Sequence, residues 1–147
     1  MSNTSQRLSK SCVEKVRDFD GNIIAIKFNF ACINDEGTWI LTPSSWGLQV
    51  GIFKHNKGYV VEAHTHPRER CGRYNGNEML YVITGRLKIN LFNEKGKLLK
   101  DITLNKGDCL IINSGHSVEV LEEASVLEVK EGPYPGPVHD KNWLKIS

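Results

Sequence analysis

His64 and His66 stand two residues apart, and Glu78 follows after a polar interval. Side chains of a β-strand alternate with period two, so two imidazoles at that spacing share one face. A carboxylate that opens the next strand can meet them inside a barrel. Two imidazoles and one carboxylate suit Fe(II), Mn(II), Ni(II) or Zn(II), with coordination positions left for a substrate. The expected cofactor is therefore one divalent metal ion. Nitrogen and oxygen donors do not select among these four.

Strands must position such residues, and the chain supplies them. From Asp20 onward the pattern is β: segments 23–33, 38–41, 47–54, 58–66, 78–84, 86–92, 98–104, 109–112, 116–121 and 126–130 are rich in β-branched and aromatic residues. Gly85, Gly96, Gly107 and Gly115 punctuate them. Many short strands with glycine-containing turns mean a sandwich or barrel. Before them, Leu8, Cys12, Val13, Val16 and Phe19 are spaced for a short amphipathic helix. The expected domains are an N-terminal arm over 1–20, a β-barrel over 21–131 and a Gly/Pro-rich tail over 132–147. Trp143 and Leu144 would anchor the tail on the barrel or on a partner subunit.

Strand faces carry further expectations. Alternation places Val60 and Glu62 on the face of His64 and His66, which makes Glu62 a candidate inward carboxylate. Met79, Tyr81 and Ile83 back the face of Glu78, Leu80 and Val82. Both faces are apolar in these strands, so both should be covered. A homodimer is the expected source of that cover.

The chain has 147 residues, enough for one domain with its own core. Hydrophobic residues make up 39% and charged residues 24%, as in a globular protein. A net charge of +2 argues against nucleic acid and membrane surfaces as partners. The polar N-terminus has no apolar signal-peptide core, so a cytoplasmic location is the default expectation. The four cysteines form no C-x-x-C pair and are expected to be free thiols. Cys109, beside Leu110, Ile111 and Ile112, reads as a buried small hydrophobe. Cys71 falls in the polar interval after His66 and reads as a loop thiol. His55 reads as a turn residue and His139 as a solvated tail residue.

That interval also holds Arg68, Arg70 and Arg73. Arginine forks bind carboxylate or phosphate in bidentate fashion. Arg70 and Arg73 are the preferred pair for an anionic or polyhydroxy small molecule; the alternative is an ordinary solvated loop.

The full spacing from Gly58 through His64, His66 and Glu78 to Gly85 resembles the first motif of the cupin superfamily. Gly107-Asp108 followed by Gly115-His116 resembles the second. The resemblance covers about residues 48–131. It implies an all-β fold, a single-domain double-stranded β-helix (jelly-roll barrel) with extra N-terminal strands. It also adds His116 to His64, His66 and Glu78 as metal ligands. Two departures stand out: Asn113 replaces a proline, and the general pattern would put the last ligand at Val118, on the same strand face as His116. Leu48-Gln49, Asn77-Glu78 and the end from Glu128 to Tyr134 are similar to small cupins of surface-polysaccharide gene neighbourhoods. Function is left open between a metalloenzyme of isomerase, epimerase or dioxygenase type and a non-catalytic module binding a sugar or sugar acid. In the first case Glu62 and Tyr81 are the candidates to move protons.

Overall fold

The computed structural model describes residues 12–67 and 77–147. The chain divides into two compact units, Met1–Asp35 and Glu36–Ser147. In the first, β1 (Val13–Arg17) pairs antiparallel with β2 (Ile23–Phe28). A short 3-10 turn, Phe30–Cys32, follows. The helix expected over 8–19 is corrected here: its described part is largely strand, and residues 8–11 lie outside the described set. The reason is the turn after Arg17. The Asp18 carboxylate accepts from the Asp20 and Asn22 backbone N–H groups and from Asn22 Nδ2, which folds 13–17 back onto 23–28. A short helix has little intrinsic stability to oppose such pairing.

Among its described residues the second unit is all β. Its strands are β3 (Gly37–Ile40), β4 (Leu48–His55), β5 (Val60–Thr65), β6 (Glu78–Phe92), β7 (Leu98–Asn105), β8 (Cys109–Ile112), β9 (Gly115–Glu131) and β10 (Asn142–Trp143). Every pairing is antiparallel. The sequence reading breaks β6 at Gly85 and β9 near residues 122–125. Both strands instead run through, bent, with shifts of register between Val82 and Leu87. Gly85 has φ +82, and a Cβ there would run into the Glu123 carbonyl. The glycine thus permits a kink between two close backbones instead of a turn.

The bends let each long strand serve two sheets. The first half of β6 and the second half of β9 continue into β8 and β4, with β3 beyond. The second half of β6 and the first half of β9 continue into β7 and β5, with β10 beyond. The two faces enclose a core of Phe53, Leu80, Val82, Leu87, Ile89, Leu104, Ile112, Val118, Val120, Ala124 and Val126. This is the jelly-roll barrel. Among the described residues no helix is long and apolar enough to cross a membrane.

Cys109 departs from expectation. In β8 the inward positions are Leu110 and Ile112, so Cys109 is exposed beside Ile111, which is 73% exposed. Cys32 and Cys109 are free thiols; Cys71 lies outside the described residues. The tail also joins the sheet: β10 pairs with β5, and the Leu144 N–H donates to the Ala63 carbonyl at 2.8 Å.

Candidate metal centre

Strict alternation would put Glu62 on the inner face with His64. The pairing of β5 with β9 shifts between Val61 and His64. Such a bulge reverses the side-chain phase. Val61 and His64 therefore both line the cavity, while Glu62 is exposed. Beyond the bulge His66 keeps the phase of His64 and is 3% exposed. Glu78 opens β6, and His116 sits directly across from His64. Val118, the position the general motif would use, pairs instead with Val61, one step further along the wall.

His64, His66, Glu78 and His116 are all buried, and one ligand atom from each lies within 4.8 Å of the others. Each imidazole is oriented through Nδ1. That of His64 faces the Glu62 carbonyl at 2.6 Å, that of His66 the Asp140 carbonyl at 2.8 Å, and that of His116 the Ser114 carbonyl at 3.2 Å. A carbonyl only accepts, so Nδ1 carries the hydrogen in each ring and Nε2 keeps a lone pair. The Nε2 atoms of His64 and His66 are 3.2 Å apart. Glu78 Oε2 lies 3.2 Å from His66 Nε2 and 2.8 Å from His116 Nε2, yet is buried without a hydrogen-bond partner among the described residues. With all three rings neutral, three nitrogen lone pairs and a carboxylate oxygen converge with no hydrogen between them. That donor set fits a divalent cation, and the carbonyl contacts are of the kind that fix imidazole ligands.

Electrostatics around the centre is uneven. Burial, with His116 and Lys141 nearby, lowers His64 to about 3. Burial also opposes charge on His66, but Asp140 and Glu78 outweigh it and raise that imidazole to about 9. Burial would raise Glu78; His116 and His66 overcome it and hold the carboxyl well below its usual range. In the metal-free chain a proton on His66 therefore stands where a cation would bind.

Residues that the sequence reading missed surround the centre. Lys130 Nζ contacts Glu128 Oε1 at 2.6 Å and Asp140 Oδ2 at 3.2 Å, with Lys130 6% and Asp140 5% exposed. Gln49 is 5% exposed, and its Oε1 has no partner among the described residues. Gln49, Glu128, Lys130, Asp140 and Lys141 all line the cavity. Part of this was within reach of the sequence. Glu128 and Lys130 share parity with Val126, and a charge at a core-facing strand position signals function. Asp140 had no such signal, because it reaches His66 from 74 residues away.

Of the proposed proton carriers, neither reaches the cavity wall. Glu62 is exposed by the bulge, and Tyr81, 39% exposed, is out of phase with Glu78 and Leu80. Arg70 and Arg73 lie outside the described residues. His55 is no mere turn residue: it is 7% exposed, stacks on Tyr59 at 3.6 Å between ring centres and contacts Glu36 Oε1 at 3.2 Å. His139 is exposed. Trp143 stands across from His64 but remains 64% exposed.

Solved structures share this architecture. A cupin superfamily protein from Desulfitobacterium hafniense DCB-2 aligns with a TM-score of 0.55 at 15% identity, over 69% of this chain and 85% of that one. The chain has the cupin fold. A cupin-2 domain containing protein from Shewanella frigidimarina aligns at 0.50 with 18% identity, over 69% and 87% of the two chains. Oxalate decarboxylase from Bacillus subtilis aligns at 0.56 with 24% identity over 73% of this chain. This chain spans 27% of that enzyme's length. No family model matches the sequence, and no curated protein matches it significantly.

Proposed function

We propose that this cupin binds one divalent metal ion through His64, His66, Glu78 and His116 and acts on a small polar, sugar-like or anionic molecule as a metalloenzyme of isomerase or dioxygenase type. The observation that carries the reading is the convergence of three buried Nε2 atoms, each ring held through Nδ1 by a carbonyl, on the buried Glu78 carboxylate. A divalent ion held there would supply Lewis acidity toward a substrate oxygen. The chain's own contribution is to orient and enclose. Asp140 and Ser114 fix the ligand imidazoles through their carbonyls, and Lys130 balances the buried carboxylates. Glu128 takes the place expected of Glu62, as a cavity carboxylate positioned to hold a substrate proton. The second reading, a non-catalytic module, is favoured by the absence of Glu62 and Tyr81 from the cavity wall. A turnover assay of His64→Ala over small acids and sugars separates the two. An enzyme loses turnover and keeps its fold; a module shows turnover in neither form.

Metal uptake should depend on pH in a defined direction. His66, raised to about 9, is protonated at pH 7 in the metal-free chain, and a metal ligand must be neutral. Below about pH 9 affinity should therefore rise by up to about tenfold per pH unit. Near pH 7 about one proton should leave per ion bound. His64, lowered to about 3, is already neutral and contributes nothing to this slope above pH 5. Calorimetry in two buffers of different ionisation enthalpy checks it; binding without proton release contradicts it.

Self-association is part of the same proposal. Tyr81 and Ile111 remain 39% and 73% exposed on neighbouring strands, where Tyr81 pairs with Cys109 and Met79 with Ile111. A second copy is the proposed cover. Light scattering should give twice the monomer mass at micromolar concentration, and a clean monomer would contradict it.

A further inference from the structure

The cavity beside the metal centre has two chemically different ends. Its volume is about 330 Å³, at the small end of the range for small-molecule sites. Cross-strand neighbours build its walls in rows. On one sheet Gln49, Lys130 and Glu78 form the first row, Gly51, Glu128 and Leu80 the second, and Phe53, Val126 and Val82 the third. On the other, His64 and His116 are followed by Val61 and Val118. Successive rows on one face are about 7 Å apart. Charged groups are thus gathered at the metal end, and Val61, Val118 and Val126 make a hydrocarbon wall beyond them; of the polar residues at the far end, Thr38 beside Phe53 turns its hydroxyl to His55 Nε2 at 3.1 Å, and Tyr59 also lines the cavity.

Two features of the polar end define what would fit. Gln49 Oε1 is buried, has no partner among the described residues and lies on the cavity wall, so it calls for a donor from a ligand. Among the described lining residues, Lys130 and Lys141 stand against Glu78, Glu128 and Asp140. A divalent ion turns that balance to a single excess positive charge, which a monoanion would neutralise.

We infer that the cavity takes a small 2-hydroxycarboxylate with a short branched hydrocarbon group. Its carboxylate and hydroxyl oxygens lie at the metal end, its hydroxyl hydrogen toward Gln49 Oε1, and its hydrocarbon group against Val61, Val118 and Val126. This rests on the metal-binding reading and narrows its substrate range. A sugar would bring hydroxyls against Val61, Val118 and Val126, whose side chains offer no partner for the water those hydroxyls would lose.

The test is calorimetric titration of the full chain loaded with zinc, manganese, nickel or iron(II), whichever it retains, with metal content measured on the same samples. The probes are 2-hydroxy-3-methylbutanoate, lactate, 3-methylbutanoate and glucuronate. The first should bind about tenfold tighter than lactate, because it buries two more carbons, and should also exceed 3-methylbutanoate and glucuronate. Gln49→Leu should remove its advantage over 3-methylbutanoate at unchanged metal content. A chain that takes up none of the four ions overturns the metal reading itself. A loaded chain that binds glucuronate or lactate as tightly as 2-hydroxy-3-methylbutanoate overturns the ligand class and leaves the metal reading standing. Val126→Thr, close in shape to the parent, should erase the preference for the branched chain; a preference that survives it places the hydrocarbon group elsewhere and overturns the assignment.

Discussion

Lys130→Met is expected to destabilise the protein by about 3–5 kcal/mol, the usual cost of stranding buried charge. Burial alone would lower the Lys130 amine, but Glu128, Glu78 and Asp140 more than offset that and hold it above its ordinary value. Its contacts at 2.6 Å with Glu128 and 3.2 Å with Asp140 are almost closed to solvent at the lysine end, where the side chain is 7% exposed. Methionine has nearly the reach of lysine, so the loss comes from the carboxylates left behind more than from packing. A denaturant midpoint that falls at unchanged slope would register it. Adding Glu128→Gln to Lys130→Met should recover part of the loss, because one stranded charge is removed. A single-variant cost below about 1 kcal/mol, typical of a solvated pair, would contradict the buried cluster.

Glu78→Gln is expected to weaken metal binding by roughly 100-fold or more, since changes even outside the ligand shell cost 10–100-fold. The amide keeps the size and shape of the carboxylate but not its charge. Wild-type protein should gain about 2.7 kcal/mol of stability at a free metal concentration 100 times its Kd. The variant at the same concentration should gain little, with an unchanged circular-dichroism spectrum. Equal metal-induced stabilisation in both proteins would remove Glu78 from the ligand set.

How far the sequence could be read depended on how local the signal was. The strands and the trio His64, His66 and Glu78 rest on alternation and short spacing, His116 on the cupin resemblance, and the four side chains do meet. Gly85 was legible as a backbone exception but not as a kink, because its cause is the approach of Glu123 from another strand. Glu62 was misplaced for a similar reason: one bulge between Val61 and His64 reverses a two-residue period, and nothing in residues 60–66 marks it. Cys109 looked buried by its neighbours, yet Leu110 and Ile112 take the inward phase of β8. In the N-terminal unit a weak helical period lost to the turn organised by Asp18. Asp140 and the strand Asn142–Trp143 depend on a chain return over the barrel, which no local pattern announces.

The most direct measurement is elemental analysis of the purified, untagged protein beside a His64→Ala, His66→Ala variant. Close to one Fe, Mn, Ni or Zn per wild-type chain, and none in a variant that keeps its fold, is the expected result. No bound metal in the wild type, even after each of these ions is offered in turn, would contradict a metal centre at His64, His66, Glu78 and His116.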